Sequence, residues 1–175
     1  MQATGIIAEY NPFHNGHQYH IRQAKKLTQQ PVIVAMSGSF MQRGEPAVLS
    51  KWQRAALAVS CGADLVLELP CAFTLRSAEF FAQGGVSLLA ASGCVNALCC
   101  GVESADCDFP ALARIACDAG VQTQLQALLR QGTSYASAWE QLFAAHSEKL
   151  EKPLSSPNDI LALSYTQAIL RHGYD

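Results

Sequence analysis

Glu9-Tyr10-Asn11-Pro12-Phe13-His14-Asn15-Gly16-His17 stands between a short apolar run, Thr4 to Ala8, and an amphipathic pattern from about Gln18 to Leu27. A buried strand, a tight polar turn and a helix start would place both histidines at a helix N-terminus. Unpaired backbone N–H groups and the positive end of the helix dipole favour anions there. Gly16 permits close backbone approach to a ligand, and two imidazoles three residues apart can face the same phosphates. The stretch therefore predicts a nucleotide-triphosphate site.

Working outward, Ile21, Ala24 and Leu27 recur at helical spacing, with Arg22, Lys25 and Lys26 on the other side, and Pro31 stops the helix. Val32–Met36 is a second apolar strand. The polar loop Ser37–Pro46 follows at a strand's C-terminal end, the edge where open α/β sheets bind ligands. Ser50 is placed to cap a helix running to about Cys61. Ala63–Leu69 reads as a third strand ended by Pro70, Ser77 opens a helix to about Ala91, and Asn96–Cys100 reads as a fourth strand. Continuous apolar strands alternating with helices predict a Rossmann-like α/β fold, a parallel sheet with helices on both faces. From Phe109 the pattern is helical: about Pro110–Ala119, Thr123–Gln131, Ser134–Ala145 and Asp159–Arg171, with a loop at Lys149–Pro157. The expected organisation is an α/β core over 1–108 and a helical continuation of the same domain over 109–175. Four strands then make an incomplete sheet, so a longer parent protein is expected.

A chain of 175 residues, 50% hydrophobic and 15% charged, suffices for a buried core and excludes disorder. Net charge is −2, but residues 1–76 carry seven Lys/Arg against four Asp/Glu, and 77–175 carry five against ten. The basic half thus holds the candidate phosphate loop. Seven cysteines, an odd number without a C-x-x-C pair, argue against a zinc ribbon and fit a reducing, cytoplasmic compartment. No stretch of about 18–20 uncharged apolar residues predicts a membrane span.

Each candidate residue also has a plainer reading. With His20, the two histidines admit a zinc site, or both are surface turn histidines; phosphate binding is preferred because His-x-Gly-His joins a buried strand to a helix, and His20 reads as a supporting, structural residue. Arg43 is either a phosphate ligand or a surface arginine. Lys51 and Arg54 border the site but equally fit solvated charge. Glu68 reads as a functional carboxylate or a partly buried structural one. Asn158 offers an amide for a nucleotide edge, or caps the helix that follows Pro157.

Gly5–His20 resembles the bacterial tRNA(Met) cytidine acetate ligases, within the His-x-Gly-His nucleotidyltransferase superfamily. So do Met36–Ala47 (with Gln-Arg-Gly-Glu-Pro-Ala), Lys51-Trp52 with Arg54, Asp64–Pro70, Ser77-Ala78-Glu79 and Ser156–Leu161. The resemblance implies activation of acetate by ATP to acetyl-adenylate, with magnesium carried by the nucleotide. Acetyl transfer to N4 of the wobble cytidine of elongator tRNA(Met) follows. It implies catalytic roles for His14 and His17. It assigns ATP contacts to Ile7, Ala8, Glu9, Tyr10, Asn11, Pro12, Phe13, His14, Asn15, Gly16, His17, Gln18, Tyr19 and His20, and to Gly101 and Asn158. Ser37, Gly38, Arg43, Lys51 and Arg54 remain candidates for substrate or tRNA. A second phosphate motif and an arginine of the family would fall beyond Asp175, so this chain is expected to hold half an ATP site and to be inactive alone. The rival readings are another adenylyl- or cytidylyltransferase with a small-molecule acceptor, and a non-catalytic nucleotide- or RNA-binding module.

Overall fold

The structure, a computed structural model, describes residues 2–146 and 156–173. Most of the loop expected at Lys149–Pro157 lies outside the described residues. The chain divides into two compact units, Met1–Gly101 and Val102–Asp175.

The first unit is built on four parallel strands: β1 (Ala3–Ala8), β2 (Val32–Ser37), β3 (Leu65–Leu69) and β4 (Val95–Leu98), in the order β3-β2-β1-β4. Between them run α1 (Asn15–Thr28), α2 (Lys51–Ser60), the single turn α3 (Cys71–Thr74) and α4 (Ala78–Ala91). The apolar runs became strands because both faces are covered, which removes the alternation of a half-exposed sheet. On one face Ile21 and Ala24 of α1 and Ala58 of α2 pack with Ile6, Val32, Val34 and Met36. Burying each of the larger aliphatic side chains contributes about 1.5–3 kcal/mol. On the other face α4 lies so close that Cβ atoms added at Gly85 and Gly5 would meet Ile7 Cδ1 at 2.6 Å and Leu89 Cδ1 at 2.7 Å.

Two details of α1 differ from the sequence reading. The helix begins at Asn15, a turn earlier than the amphipathic pattern, because His14 serves as its N-cap. Leu27 is 76% exposed. The inward position passes instead to Thr28, four residues after Ala24, whose hydroxyl accepts from Thr4 Oγ1 at 2.8 Å. Lys25 pairs with Asp64 at 2.7 Å, and Asp64 also accepts from the Val32 N–H at 2.7 Å. Burial raises the Asp64 pKa, but these partners outweigh it and leave the carboxyl below its usual range.

The second unit holds α5 (Phe109–Cys117), α6 (Ala119–Arg130), α7 (Tyr135–His146) and α8 (Pro157–Arg171). Asp108 and Asp118 cap α5 and α6, accepting from Ala111 N and Val121 N at 3.0 Å each. Its core gathers Leu112, Ala116, Leu125, Leu142 and Leu163 around Trp139 and Phe143, whose rings stack at 5.0 Å. The buried Asp159 carboxylate takes the Glu103 and Ser104 N–H groups at 2.9 and 3.2 Å and the Ser104 hydroxyl at 2.8 Å. That grip ties 103–104 to the helices.

The α4 contact is testable. Gly85→Val should lower the unfolding free energy by about 1–3 kcal/mol in urea denaturation, since overpacking against Ile7 exceeds the gain in helix propensity over glycine. An unchanged midpoint would mean that α4 can move off the sheet freely.

Candidate functional site

The strand order reverses direction at β1, whose neighbours are β2 and β4. The crevice beyond the C-terminal ends of β1 and β4 is the topological switch point, where α/β sheets bind ligands. The chain leaves β1 through Glu9 and turns sharply. Tyr10 takes a left-handed backbone (φ 51°), and the Asn11–Pro12 peptide is cis. The Tyr10 conformation costs of order 1–3 kcal/mol for a non-glycine residue. Burial of its ring, 1% exposed, offsets this through edge contacts with Phe13 (4.9 Å) and His17 (4.7 Å).

The turn delivers His14 to the N-cap of α1 and His17 three residues on. His14 Nδ1 accepts from the Gly16 N–H at 3.1 Å, and His17 Nδ1 accepts from the His14 N–H at 3.2 Å. The rings stack with centroids 3.6 Å apart. Because both Nδ1 atoms accept, the hydrogen bonds assign both neutral rings the same tautomer, with the proton on Nε2. Two Nε2–H donors are thereby fixed at the positive end of the α1 dipole. Burial first, then the His14 and His20 charges, pull the His17 pKa down to about 4. This imidazole is therefore a neutral donor at physiological pH. His20 is also shifted down, by burial, against a hydrogen bond with the Cys99 backbone that raises it. Among the described residues no cluster of three His, Cys, Asp or Glu is arranged to hold a metal ion. The caps direct both His14 and His17 Nδ1 atoms at the backbone.

The loop after β2 forms the second wall. It folds into a small hairpin through Met41 N to Glu45 O and Ala47 N to Ser39 O, both 2.9 Å, with a bridge between Phe40 and Pro46. Glu9 Oε1 accepts from Gln42 N at 2.6 Å, and Asn11 Oδ1 accepts from Val48 N at 2.8 Å. These two acidic and amide side chains of the first motif hold the loop.

Arg54 completes the anchorage and corrects the sequence reading. It is fully buried, not a solvated or tRNA-facing charge. Its guanidinium donates to the Glu9 carbonyl at 2.5 Å, the Leu49 carbonyl at 3.2 Å and the Gly38 carbonyl. Lys51 is bound to both oxygens of Glu68 at 2.6 and 2.8 Å, so it is not a free cation, and Glu68 is an exposed ion-pair partner. A Cβ at Gly38 would meet Glu68 Oε1 at 2.5 Å, the far end of an exposed side chain that can move aside. Ser37 is buried with an unpartnered hydroxyl, and Arg43 is exposed on the hairpin.

The remaining candidates scatter. Ile7 points under α4; Asn15, Gly16 and Tyr19 are exposed at the helix start; Ala8, Pro12, Phe13 and Gln18 complete the turn around them. Gly101 is exposed with open space where a Cβ would stand. In the second unit Asn158 is not the cap of α8. Ser156 is, accepting from Asp159 N at 3.1 Å, which frees the Asn158 amide to donate to Glu103 Oε1 at 3.3 Å. The roles of Arg54, Glu9 and Asn11 escaped the sequence, since their partners lie 5 to 45 residues away. The Ser156 cap had a signal in Ser156-Pro157, a serine before a proline at the first helical position.

An open parallel sheet with paired imidazole donors at a helix start, on its switch point, is an α/β arrangement suited to holding a nucleotide's phosphates. Residues 1–175 match the HIGH Nucleotidyl Transferase family, and the chain belongs to it. It is 50% identical over 172 residues to a tRNA(Met) cytidine acetate ligase of Leuconostoc mesenteroides, covering 97% of this chain and 42% of that protein. It is 46% identical over 181 residues to one of Syntrophotalea carbinolica, covering 99% and 42%. A crystal structure of Thermotoga maritima TmcAL bound with alpha-thio ATP superposes with a TM-score of 0.91 at 39% identity, over 99% of this chain and 44% of that one. The chain thus spans less than half the length of the curated relatives it matches.

Two measurements follow. Arg54→Met should cost about 3 kcal/mol or more in denaturant unfolding, because three carbonyls lose a shared charged donor. Arg54→Lys should recover only part, a point charge being unable to span all three; a loss under about 1 kcal/mol in Arg54→Met would show that the carbonyls find other donors. For His17, the unfolded chain binds a proton near pH 6.5 that the folded protein refuses until about pH 4. Its contribution to stability is therefore complete above about 6.5 and is lost as pH falls toward 4. An NMR titration of the His17 ring with a midpoint near 6.5 would overturn this.

Proposed function

We propose that this chain carries the HIGH-motif half of an ATP-dependent tRNA(Met) cytidine acetate ligase, acting in the cytoplasm. The observation that carries the reading is the pair of Nε2–H donors set by the His14–His17 cap, in a chain half identical to a protein of that name. The α/β unit and the helices after it act together as one nucleotide domain in this reading. The resemblance gives the nucleoside to Gly101 and Asn158.

In the first step an acetate oxygen attacks the α-phosphorus of ATP. A bond from phosphorus to the acetate oxygen forms, the bond to the bridging oxygen breaks, and pyrophosphate leaves. Negative charge grows on the bridging and equatorial oxygens. Donors already fixed in place stabilise it without reorganising. His14 and His17, oriented through Nδ1, supply such donors, and the positive end of the α1 dipole adds to them. Acetate needs no general base, being already ionised at neutral pH. Magnesium accompanies the triphosphate. In the second step the wobble cytidine N4 attacks the acetyl carbon, the bond to AMP breaks, and N4 sheds a proton.

The test is acetate-dependent ATP–pyrophosphate exchange by the whole protein that carries this sequence. His14→Ala or His17→Ala should reduce exchange by about 100-fold or more, the scale of a lost transition-state donor. Near wild-type exchange in both variants would remove the histidines from catalysis. Exchange supported by another small acid but not by acetate would replace the acceptor.

A further inference from the structure

The hairpin after β2 and the first turn of α2 present a fixed, solvent-facing surface that the adenylation step does not use. Trp52 is 75% exposed, Val48 71% and Phe40 42%. Exposed apolar groups on a loop are common singly. Here three of them fall within thirteen residues of a segment that is tied down throughout. Glu9 holds Gln42 N, Asn11 holds Val48 N, and Arg54 holds Gly38 O and Leu49 O, while the hairpin closes on itself. The Trp52 ring is propped as well, with Lys51 Nζ 5.5 Å from its centroid and that ammonium gripped by Glu68. Arg43, exposed on the hairpin, makes no ion pair among the described residues.

An indole in water, on the same anchored segment as an exposed guanidinium without an ion pair among the described residues, is equipment by which proteins hold unpaired nucleotides. Any base stacks on the aromatic face, and arginine takes the adjoining phosphate. We propose that this hairpin and helix start form the RNA-docking face. Trp52 stacks an unpaired base of the tRNA anticodon loop, and Arg43 binds a neighbouring phosphate. The proposal rests on the ligase reading above and deepens it by locating the second substrate. Residues 1–76 carry a net charge of +3, the sign that a polyanion requires. The face is also continuous with the first motif, because Glu9 and Asn11 that anchor the hairpin belong to the turn bearing His14 and His17. RNA docked there lies beside the bound adenylate, where a cytidine amine must arrive.

The test compares two readouts in the whole protein. Binding of an elongator tRNA(Met) transcript is measured by filter retention at fixed salt, and acetate-dependent ATP–pyrophosphate exchange is measured without RNA. Trp52→Ala should weaken transcript binding about tenfold and leave exchange within about twofold of wild type. Trp52→Phe should restore most of the affinity, because the stacking face returns. Arg43→Gln should lower the slope of log affinity against log salt by about one. Unchanged transcript binding in Trp52→Ala overturns the docking face. So does a change of oligomeric state, by light scattering, in place of weakened RNA binding, since the surface would then seat a second copy. Transcript binding that Trp52→Ala weakens, in a protein that shows no acetate-dependent exchange, would keep the RNA face and reject the ligase chemistry.

Discussion

One buried guanidinium holds the candidate site together. Arg54 sits inside the protein with its three nitrogens on the carbonyls of Glu9, Gly38 and Leu49, which close the ends of two strands and the return of a loop. The carbonyls just past β1 and β2 need partners when buried, and an unpaired buried charge would cost several kcal/mol. Each requirement answers the other. Arginine suits the task because its planar fork reaches several acceptors at once. The loop it captures is then fastened to the histidine turn by Glu9 and Asn11, so the two walls at the sheet's C-terminal edge behave as one piece.

On that frame, the histidine pair is a capping motif turned to chemistry. A serine or aspartate would cap α1 as well, but neither carries a second nitrogen whose N–H can face a ligand. Imidazole binds the backbone through Nδ1 and keeps Nε2–H for a ligand. The same bond that starts the helix selects the tautomer. Burial of His17 against Tyr10 and Phe13 keeps the ring uncharged, so its donor is available throughout the neutral range. Order at the helix start and order at the two Nε2–H donors therefore have a common origin.

Much of the fold was legible locally. The four apolar runs, the prolines at 31 and 70 and the cap at Ser50 located the strands and most helices, because burial on both sheet faces and capping leave marks within a few residues. Boundaries failed where a residue had an unusual task. His14 was not read as a cap, so α1 was begun too late, and Leu27 was placed inward although Thr28 holds that position. The short α3 left no periodic signal at all. In the site, the two histidines and the loop after β2 were visible as motifs, whereas the jobs of Arg54, Glu9, Lys51 and Asp159 were not. Their partners are distant in sequence, and a lone charged residue on a helix carries no sign of being buried.

The sequence by itself determined the class of protein: a parallel α/β sheet with a His-x-Gly-His turn at a helix start, since strand burial and turn chemistry are short-range properties. Tertiary structure alone decided which charges face water and which brace the scaffold. It moved Arg54 inside, tied Lys51 to Glu68, gave the cap of α8 to Ser156 and left Trp52 outside. Those outcomes depend on which carbonyls and carboxylates the fold brings within hydrogen-bonding distance. No local pattern encodes that.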